Sequence, residues 1–231
     1  MPDQSSRPLL ALDASATASV AVVQGGEVLA RYASTETNTH AEVLTPAVRR
    51  VLEEAKVEPA DLRAVVAGVG PGPFTGLRAG LVTARSLAFA WGLPVHGVMS
   101  LDAIALPAAE DAFRAGVEEF VVATDARRRE VYWAHYASVG GQFQRLHGPF
   151  VTAPDEVTPL PAYGAGAGLY PEALAAVAEF STAVPDAGSL GLVGELALRR
   201  GRGILPVQPL YLRESDAKVP GPRKKAGTGE R

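Results

Sequence analysis

The chain contains no cysteine. Disulfides, thiolate metal sites and a cysteine nucleophile are therefore excluded together. No apolar run reaches the roughly 20 residues that a bilayer-spanning helix needs. The first residues lack the basic region and apolar core of a secretory signal, so a cytoplasmic protein without membrane contact is expected. The phosphate loop ending in Gly-Lys-Ser/Thr, the dinucleotide fingerprint and the Gly-x-Ser-x-Gly elbow are absent too. The four histidines, His40, His96, His135 and His147, have no second histidine at short metal-ligand spacing. His40 is followed four residues on by Leu44, so no pair of ligands shares that helix face.

What is present is an ordinary globular composition, 47% hydrophobic and 20% charged over 231 residues, enough for one large or two small domains with a sizeable core. The net charge of −3 is uneven. From Lys218 the tail holds Lys218, Arg223, Lys224, Lys225 and Arg231 against Glu230, a surplus of four, which leaves −7 on the body. A body of that sign is a poor general binder of nucleic acid. The Gly/Pro-rich tail, 218–231, is expected to be disordered, either as a solubilising end or in weak contact with RNA.

The most informative stretch is Gly70-Pro71-Gly72-Pro73-Phe74-Thr75-Gly76-Leu77-Arg78-Ala79-Gly80. The valine-rich run before it, Leu62 to Val69, reads as a buried strand, and two Gly-Pro pairs end that strand. Thr75 is expected to cap a helix running to about Trp91. Between Gly76 and Trp91 only Arg78, Thr83, Arg85 and Ser86 are polar, so the helix should be buried on more than one side. Gly76, Gly80, Ala84 and Ala88 recur every four residues and form a small-residue ridge. Either the ridge packs on the chain's own sheet, or it meets another subunit. The second reading assigns Gly76, Leu77, Gly80, Leu81, Ala84 and Ala88, with Leu44 and Val48 from the preceding helix, to a partner interface.

The remainder reads as two similar halves. Pro8 to Ala14, Val20 to Val23 and Val28 to Ala33 are strands, with a hairpin at Gln24-Gly25-Gly26. Thr39 and Glu42 are spaced as a capping box for a helix whose Leu44, Ala47, Val48, Val51, Leu52 and Ala55 make one apolar stripe. Val95 to Val98 is a further strand. Phe120 to Thr124, Glu130 to Tyr136 and Phe143 to Leu146 repeat the opening, with Asp125-Ala126 answering Asp13-Ala14 and Gly140-Gly141 answering Gly25-Gly26. Helices are expected at Pro171 to Phe180, after a glycine-rich turn at Gly164 to Gly168, and at Leu190 to Arg199, with a short last strand at Val207 to Leu212. Such a duplication implies an α/β actin-like (ASKHA) fold of two ribonuclease-H-like subdomains, the second reduced. Expected boundaries are 1–102, 103–217 and the tail.

Actin-like folds hold ATP between their halves with an acidic hairpin from each. Asp13 and Ser15 stand where the first belongs, a vestigial phosphate hairpin in this reading. The second, Asp125-Ala126-Arg127-Arg128-Arg129, has no glycine where phosphate must approach backbone, and carries three arginines. Alternatively, Asp13 and Asp125 merely close turns at strand ends.

The glycine stretch resembles the signature of the bacterial TsaB (YeaZ) proteins, with Pro73 where that family usually has serine. Leu12-Asp13-Ala14-Ser15, Gly97-Val98-Met99-Ser100-Leu101, Asp125-Ala126-Arg127 with Glu130-Val131-Tyr132, and Pro209-Leu210-Tyr211-Leu212-Arg213 resemble further blocks in the same order. The resemblance implies a non-catalytic subunit that binds TsaD, which with TsaE transfers a threonylcarbamoyl group to the adenosine beside the tRNA anticodon. It further implies TsaE within the complex, tRNA reached only through the complex, and a homodimer when alone, through the same two helices. No cofactor of the chain's own is implied; ATP or ADP would sit, if anywhere, at the subunit interface of the complex. Two other readings of the residues stay open: an independent ATP-dependent phosphotransferase, which the arginine-bearing loop opposes, and a peptidase, which no metal pair or nucleophile elbow supports.

Overall fold

The computed structural model describes residues 7–35 and 40–213. The capping box at Thr39 and the basic tail lie outside the described residues. Among those described, two five-stranded sheets carry the fold, and both have the same topology. In the first, β1 (Leu9–Asp13), β2 (Ser19–Gln24) and β3 (Glu27–Ala33) run antiparallel. Then β4 (Ala64–Gly68) and β5 (Val95–Val98) add in parallel on the other side of β1, in the order β3-β2-β1-β4-β5. In the second, β6 (Glu119–Asp125), β7 (Val131–Val139) and β8 (Gln142–Thr152) form the antiparallel part. The short β9 (Pro161–Tyr163) and β10 (Ala175–Ala176) run parallel to β6, in the order β8-β7-β6-β9-β10. This duplicated ribonuclease-H-like arrangement is the actin-like α/β fold.

Helices α1 (His40–Ala55) and α2 (Phe74–Trp91) cover one face of the first sheet. Alternate residues of a strand face opposite ways, so Leu10 and Leu12 of β1 pack towards α1 and α2. Leu9 and Ala11 pack towards α5 (Ala187–Arg200) on the other face. All of β1 is buried for that reason, and it reads as a continuous apolar run. Helix α5 is tied to this sheet by its polar groups as well: Glu195 accepts the Gly25 and Gly26 amides, each at 2.7 Å. Although α5 comes after the second sheet in sequence, it covers the first.

Between the sheets lies α3 (Ser100–Arg114), whose Leu101, Ile104, Ala105 and Ala108 face the second sheet while Ala103 faces α5. It runs unbroken through the expected boundary at 102/103. The second half is the smaller one. A 3-10 turn at Pro154–Glu156 joins β8 to β9, and the five-residue α4 (Ala165–Leu169) joins β9 to β10. No helix among the described residues is long and apolar enough to cross a membrane.

Three local expectations are corrected. Helix α2 begins at Phe74 with Pro73 in the capping position, not Thr75; proline's fixed backbone angle starts the helix without a side-chain cap. Residues 171–180 are not a helix: Ala175 and Ala176 pair with β9, Leu174 fills the core beside it, and a 3-10 turn comes next. Val207 to Leu212 is not a strand, because Pro206 and Pro209 remove two of the amides a ladder needs. That segment instead crosses the molecule as a strap, held by a bridge between Leu205 and Gly97 and by the Leu210 amide on the Val69 carbonyl at 2.8 Å.

Candidate functional site

The turn after β1 is sealed. Asp13 is fully buried, and both its oxygens are occupied: Oδ1 accepts the Ser15 amide at 2.8 Å and the Ser15 hydroxyl at 2.6 Å, and Oδ2 accepts the Ser100 hydroxyl at 2.6 Å. Ser100 Oγ in turn accepts the Gly70 amide at 3.0 Å, so one network joins β1, the glycine turn and α3. Burial pushes the Asp13 carboxyl above its usual range, against the hydrogen bonds from Ser100 and Ser15.

Each residue of Asp13-Ala14-Ser15 is covered by one glycine. A methyl on Gly68 would overlap the Asp13 carboxylate. One on Gly80 would stand 3.1 Å from the Ala14 methyl, and one on Gly72 would stand 2.6 Å from the Ser15 carbonyl oxygen. The segment from Gly68 to Gly80 thus packs directly onto all three residues of the turn. Asp13 and Ser15 are brought together as expected, but as a closed structural turn.

The turn after β6 has the opposite character. Arg127, Arg128 and Arg129 are all exposed and all left-handed, with φ of 61°, 58° and 62°. A left-handed residue other than glycine costs about 1–2 kcal/mol, so three in succession need support. Asp125 accepts the Arg127 amide at 2.7 Å, and the Ala126 amide meets the Glu130 carbonyl at 3.0 Å. Arg213, at the end of the strap, donates to the Ala126 carbonyl at 2.9 Å and pairs with Glu130. The glycine-rich segment at 164–168 is a packing device: a methyl on Gly166 would stand 2.7 Å from the Thr124 amide nitrogen. It presses on β6 one residue short of the arginine turn and leaves that turn open.

The eight residues assigned to a partner interface are buried in the chain's own core. Gly76, Leu77, Gly80, Leu81, Ala84 and Ala88 face inward from α2, and Leu44 and Val48 face inward from α1. The small-residue ridge lets α2 approach the Asp13 turn and β4 closely, which is the physical reason for the correction. What faces outward is a stripe that the apolar pattern does not single out: Arg78, Val82, Arg85 and Phe89, spaced by four, three and four residues. Val82 is 63% exposed and Phe89 91%. Arg78 is held at the head of this stripe by Tyr211, its Nε donating to the tyrosine hydroxyl at 2.7 Å. Beside the stripe a groove of about 470 Å³ runs between the two helices, lined by Val48, Leu52, Leu87 and Trp91 among others.

Two further features are invisible in the sequence because only contacts between distant residues reveal them. His135 and His147 are cross-strand partners with ring centroids 5.7 Å apart, and His135 Nε2 lies 2.8 Å from Glu119. Among the described residues no group of three His, Asp or Glu could hold a metal. Asp102 of α3 is buried, accepts the Tyr136 hydroxyl at 2.9 Å and lies 3.6 Å from Arg145. Burial pushes its carboxyl up to about 6, while Arg145 and Tyr136 pull it back.

Comparison with known proteins places the chain. A family model described as TsaD: tRNA N6-adenosine threonylcarbamoyltransferase matches residues 27–196. The uncharacterized protein Rv3421c of Mycobacterium tuberculosis is 42% identical over 191 residues, 83% of each chain. The tRNA threonylcarbamoyladenosine biosynthesis protein TsaB of Escherichia coli is 36% identical over 130 residues, 55% of this chain and 54% of that one. The solved structure of YeaZ from Pseudomonas aeruginosa superposes with a TM-score of 0.74 at 33% identity, covering 89% of this chain and 100% of that one. With its glycine stretch, duplicated sheets and family match, the chain belongs to the TsaB (YeaZ) family of tRNA threonylcarbamoyladenosine biosynthesis proteins.

Proposed function

We propose that the chain is a non-catalytic subunit that binds TsaD and supports transfer of the threonylcarbamoyl group to the adenosine beside the tRNA anticodon, with TsaE joining the same complex. The observation that carries this reading is the outward stripe of α2. Val82 and Phe89 place large apolar groups in water where a monomer gains nothing from them, and a groove between α1 and α2 lies alongside. Two arginines in the stripe complete the mixture of aromatic, aliphatic and guanidinium groups common in the centre of an interface. In the absence of TsaD the same face would pair two copies of the chain.

A phosphotransferase role is less well supported. Both oxygens of Asp13 are occupied by hydroxyl and amide donors, and Gly72 lies against Ser15. We therefore assign the chain no nucleotide of its own; a nucleotide at the seam with TsaD is compatible with this assignment.

Phe89→Asp tests the reading. With 91% of Phe89 exposed, the unfolding midpoint should not move. Association with TsaD should weaken by about thirtyfold or more, the effect of losing a contact of about 2 kcal/mol at the centre of an interface. Formation of threonylcarbamoyladenosine by TsaD, TsaE, the adenylate-forming enzyme, ATP and tRNA should fall with it. Unchanged association and modification, or transfer by this chain without TsaD, would overturn the proposal.

A further inference from the structure

We propose that the β6–β7 turn is a contact for the phosphate backbone of RNA, which gives this chain its own hold on the tRNA; the inference rests on the reading of the chain as a tRNA-modification subunit. Three consecutive arginines in left-handed backbone are a poor way to join two strands, since glycine or asparagine would do so without strain. None of the three side chains is packed into the core either, for all three are exposed. The surrounding structure is nonetheless built to hold this shape. Asp125 and Glu130 bracket the turn, and Arg213 reaches from the strap to the carbonyls of Ala126 and Arg127. Glu130 pairs with Arg213 and Asp125 with Arg127. Arg127, Arg128, Arg129 and Arg213 stand here against Asp125 and Glu130, a surplus of two positive charges however they pair. Guanidinium groups match phosphate oxygens with two parallel donors, which suits a rigid display of this kind.

A polymer of phosphates fits better than an acidic protein surface because further cations follow in the sequence soon after Arg213, which is bonded to the turn. Arg213, bonded to the turn, is five residues before Lys218, and a chain of that length spans at most about 18 Å. From Lys218 on the sequence carries Lys218, Arg223, Lys224, Lys225 and Arg231 against a single Glu230. Cations that begin on a fixed turn and continue along the adjoining segment suit a repeating anion, whereas an acidic patch on a protein ends after a few charges. The body before Lys218 carries −7, so RNA is repelled elsewhere and contact is focused at this one place.

The test replaces Arg127, Arg128 and Arg129 together by glutamine in the full chain, with a second variant carrying three lysines. Binding of tRNA is measured for the isolated chain and for its complex with TsaD, from 50 to 200 mM salt. Removing one phosphate contact should lower the slope of log affinity against log salt by about 0.7–0.9. The glutamine variant should bind at least tenfold more weakly near 100 mM salt with a slope smaller by about two, and the lysine variant should keep the slope. Association with TsaD and the unfolding midpoint should stay as they are. Unchanged tRNA affinity and slope in both settings would overturn the inference while leaving the TsaD reading intact. Loss of TsaD affinity with unaltered tRNA binding would overturn it in favour of an acidic protein partner. Should no complex with TsaD form at all, the TsaD reading fails, and the isolated chain with tRNA still decides this one.

Discussion

The turns after β1 and β6 occupy the same position in two sheets of the same topology, and the structure uses them in opposite ways. At Asp13-Ala14-Ser15 every polar atom of the acidic side chain is bonded inward, and three glycines bring backbone down onto the three residues. At Asp125–Arg129 the backbone takes a strained left-handed shape and all three arginines are exposed, Arg127 paired with Asp125. At the same position of two like sheets, one loop is part of the core and the other part of the surface. A duplicated architecture can thus keep both copies of an element while each takes the shape its own packing sets.

The sealed turn should fail most severely when a single methyl is added at Gly68. The new group would overlap the Asp13 carboxylate, so the network with Ser15 and Ser100 must open. Overpacking costs about 1–3 kcal/mol, and a buried polar group left unpaired about 1–3 more, against a total stability of about 5–15 kcal/mol. Gly68→Ala should therefore lose several kcal/mol in urea unfolding, or fail to fold. At Gly80 the neighbour is only the Ala14 methyl, so Gly80→Leu should cost about 1–3 kcal/mol, less any gain in helix propensity. That loss should appear in the unfolding midpoint with TsaD affinity unchanged. The reverse pattern, an intact midpoint with weakened association, would return the ridge to a partner and break the comparison.

Helix α2 is legible in the sequence from the two Gly-Pro pairs before it and its largely apolar run, but its expected burial on more than one side is corrected: Gly76, Leu77, Gly80, Leu81, Ala84 and Ala88 share one buried face, and Val82 and Phe89 stand exposed on the other. Which neighbour the buried face meets is not legible. A ridge of glycine and alanine serves a helix or a strand equally well, and only the approach of Ala14 to Gly80 decides. Helix α3 is not legible at all. Its first turns, Ser100 to Ala105, are buried all round between the second sheet and α5 and show no 3.6-residue alternation, and Pro107 inside it reads as a breaker. The return of α5 to the first sheet and the pairing of His135 with His147 depend on contacts between distant residues, which no local pattern carries. The arginine turn visibly lacks glycine, but its left-handed backbone stays hidden because arginine is not a residue that announces it.

Asp102 sharpens the contrast with Asp13. It too is buried, but it has one tyrosine hydroxyl and a more distant arginine in place of two serine hydroxyls and an amide. Its carboxyl is pushed by burial from an ordinary 3.8 up to about 6. The folded chain therefore holds a proton that the unfolded chain has released, and the associated stability is present below the ordinary value and lost as pH rises through about 6. That interval corresponds to about 3 kcal/mol. Asp102→Asn cannot lose it, so the stability difference between variant and parent should move in the variant's favour by up to that amount from pH 4 to pH 7.5. Urea midpoints at those two pH values check this, and a difference that does not change with pH would mean that Arg145 keeps the carboxylate ionised throughout.

The smallest effect is expected at the open turn, and it has the opposite sign. Arg129 is exposed, and its left-handed backbone costs about 1–2 kcal/mol that glycine would not incur. Glycine brings its own penalty, since the unfolded chain gains freedom worth roughly 0.5–1 kcal/mol. The net for Arg129→Gly is a gain of about 0.5–1 kcal/mol, a rise in melting temperature of roughly 1–4 °C for a chain of this size. The same change removes one of the exposed cations, so the salt dependence of tRNA binding should weaken as stability improves. A strained functional element that is relaxed makes this trade. A variant that melts lower than the parent would show that the Arg129 side chain supports the turn. The arginines would then be part of its structure, and the two turns would differ less than their surfaces suggest.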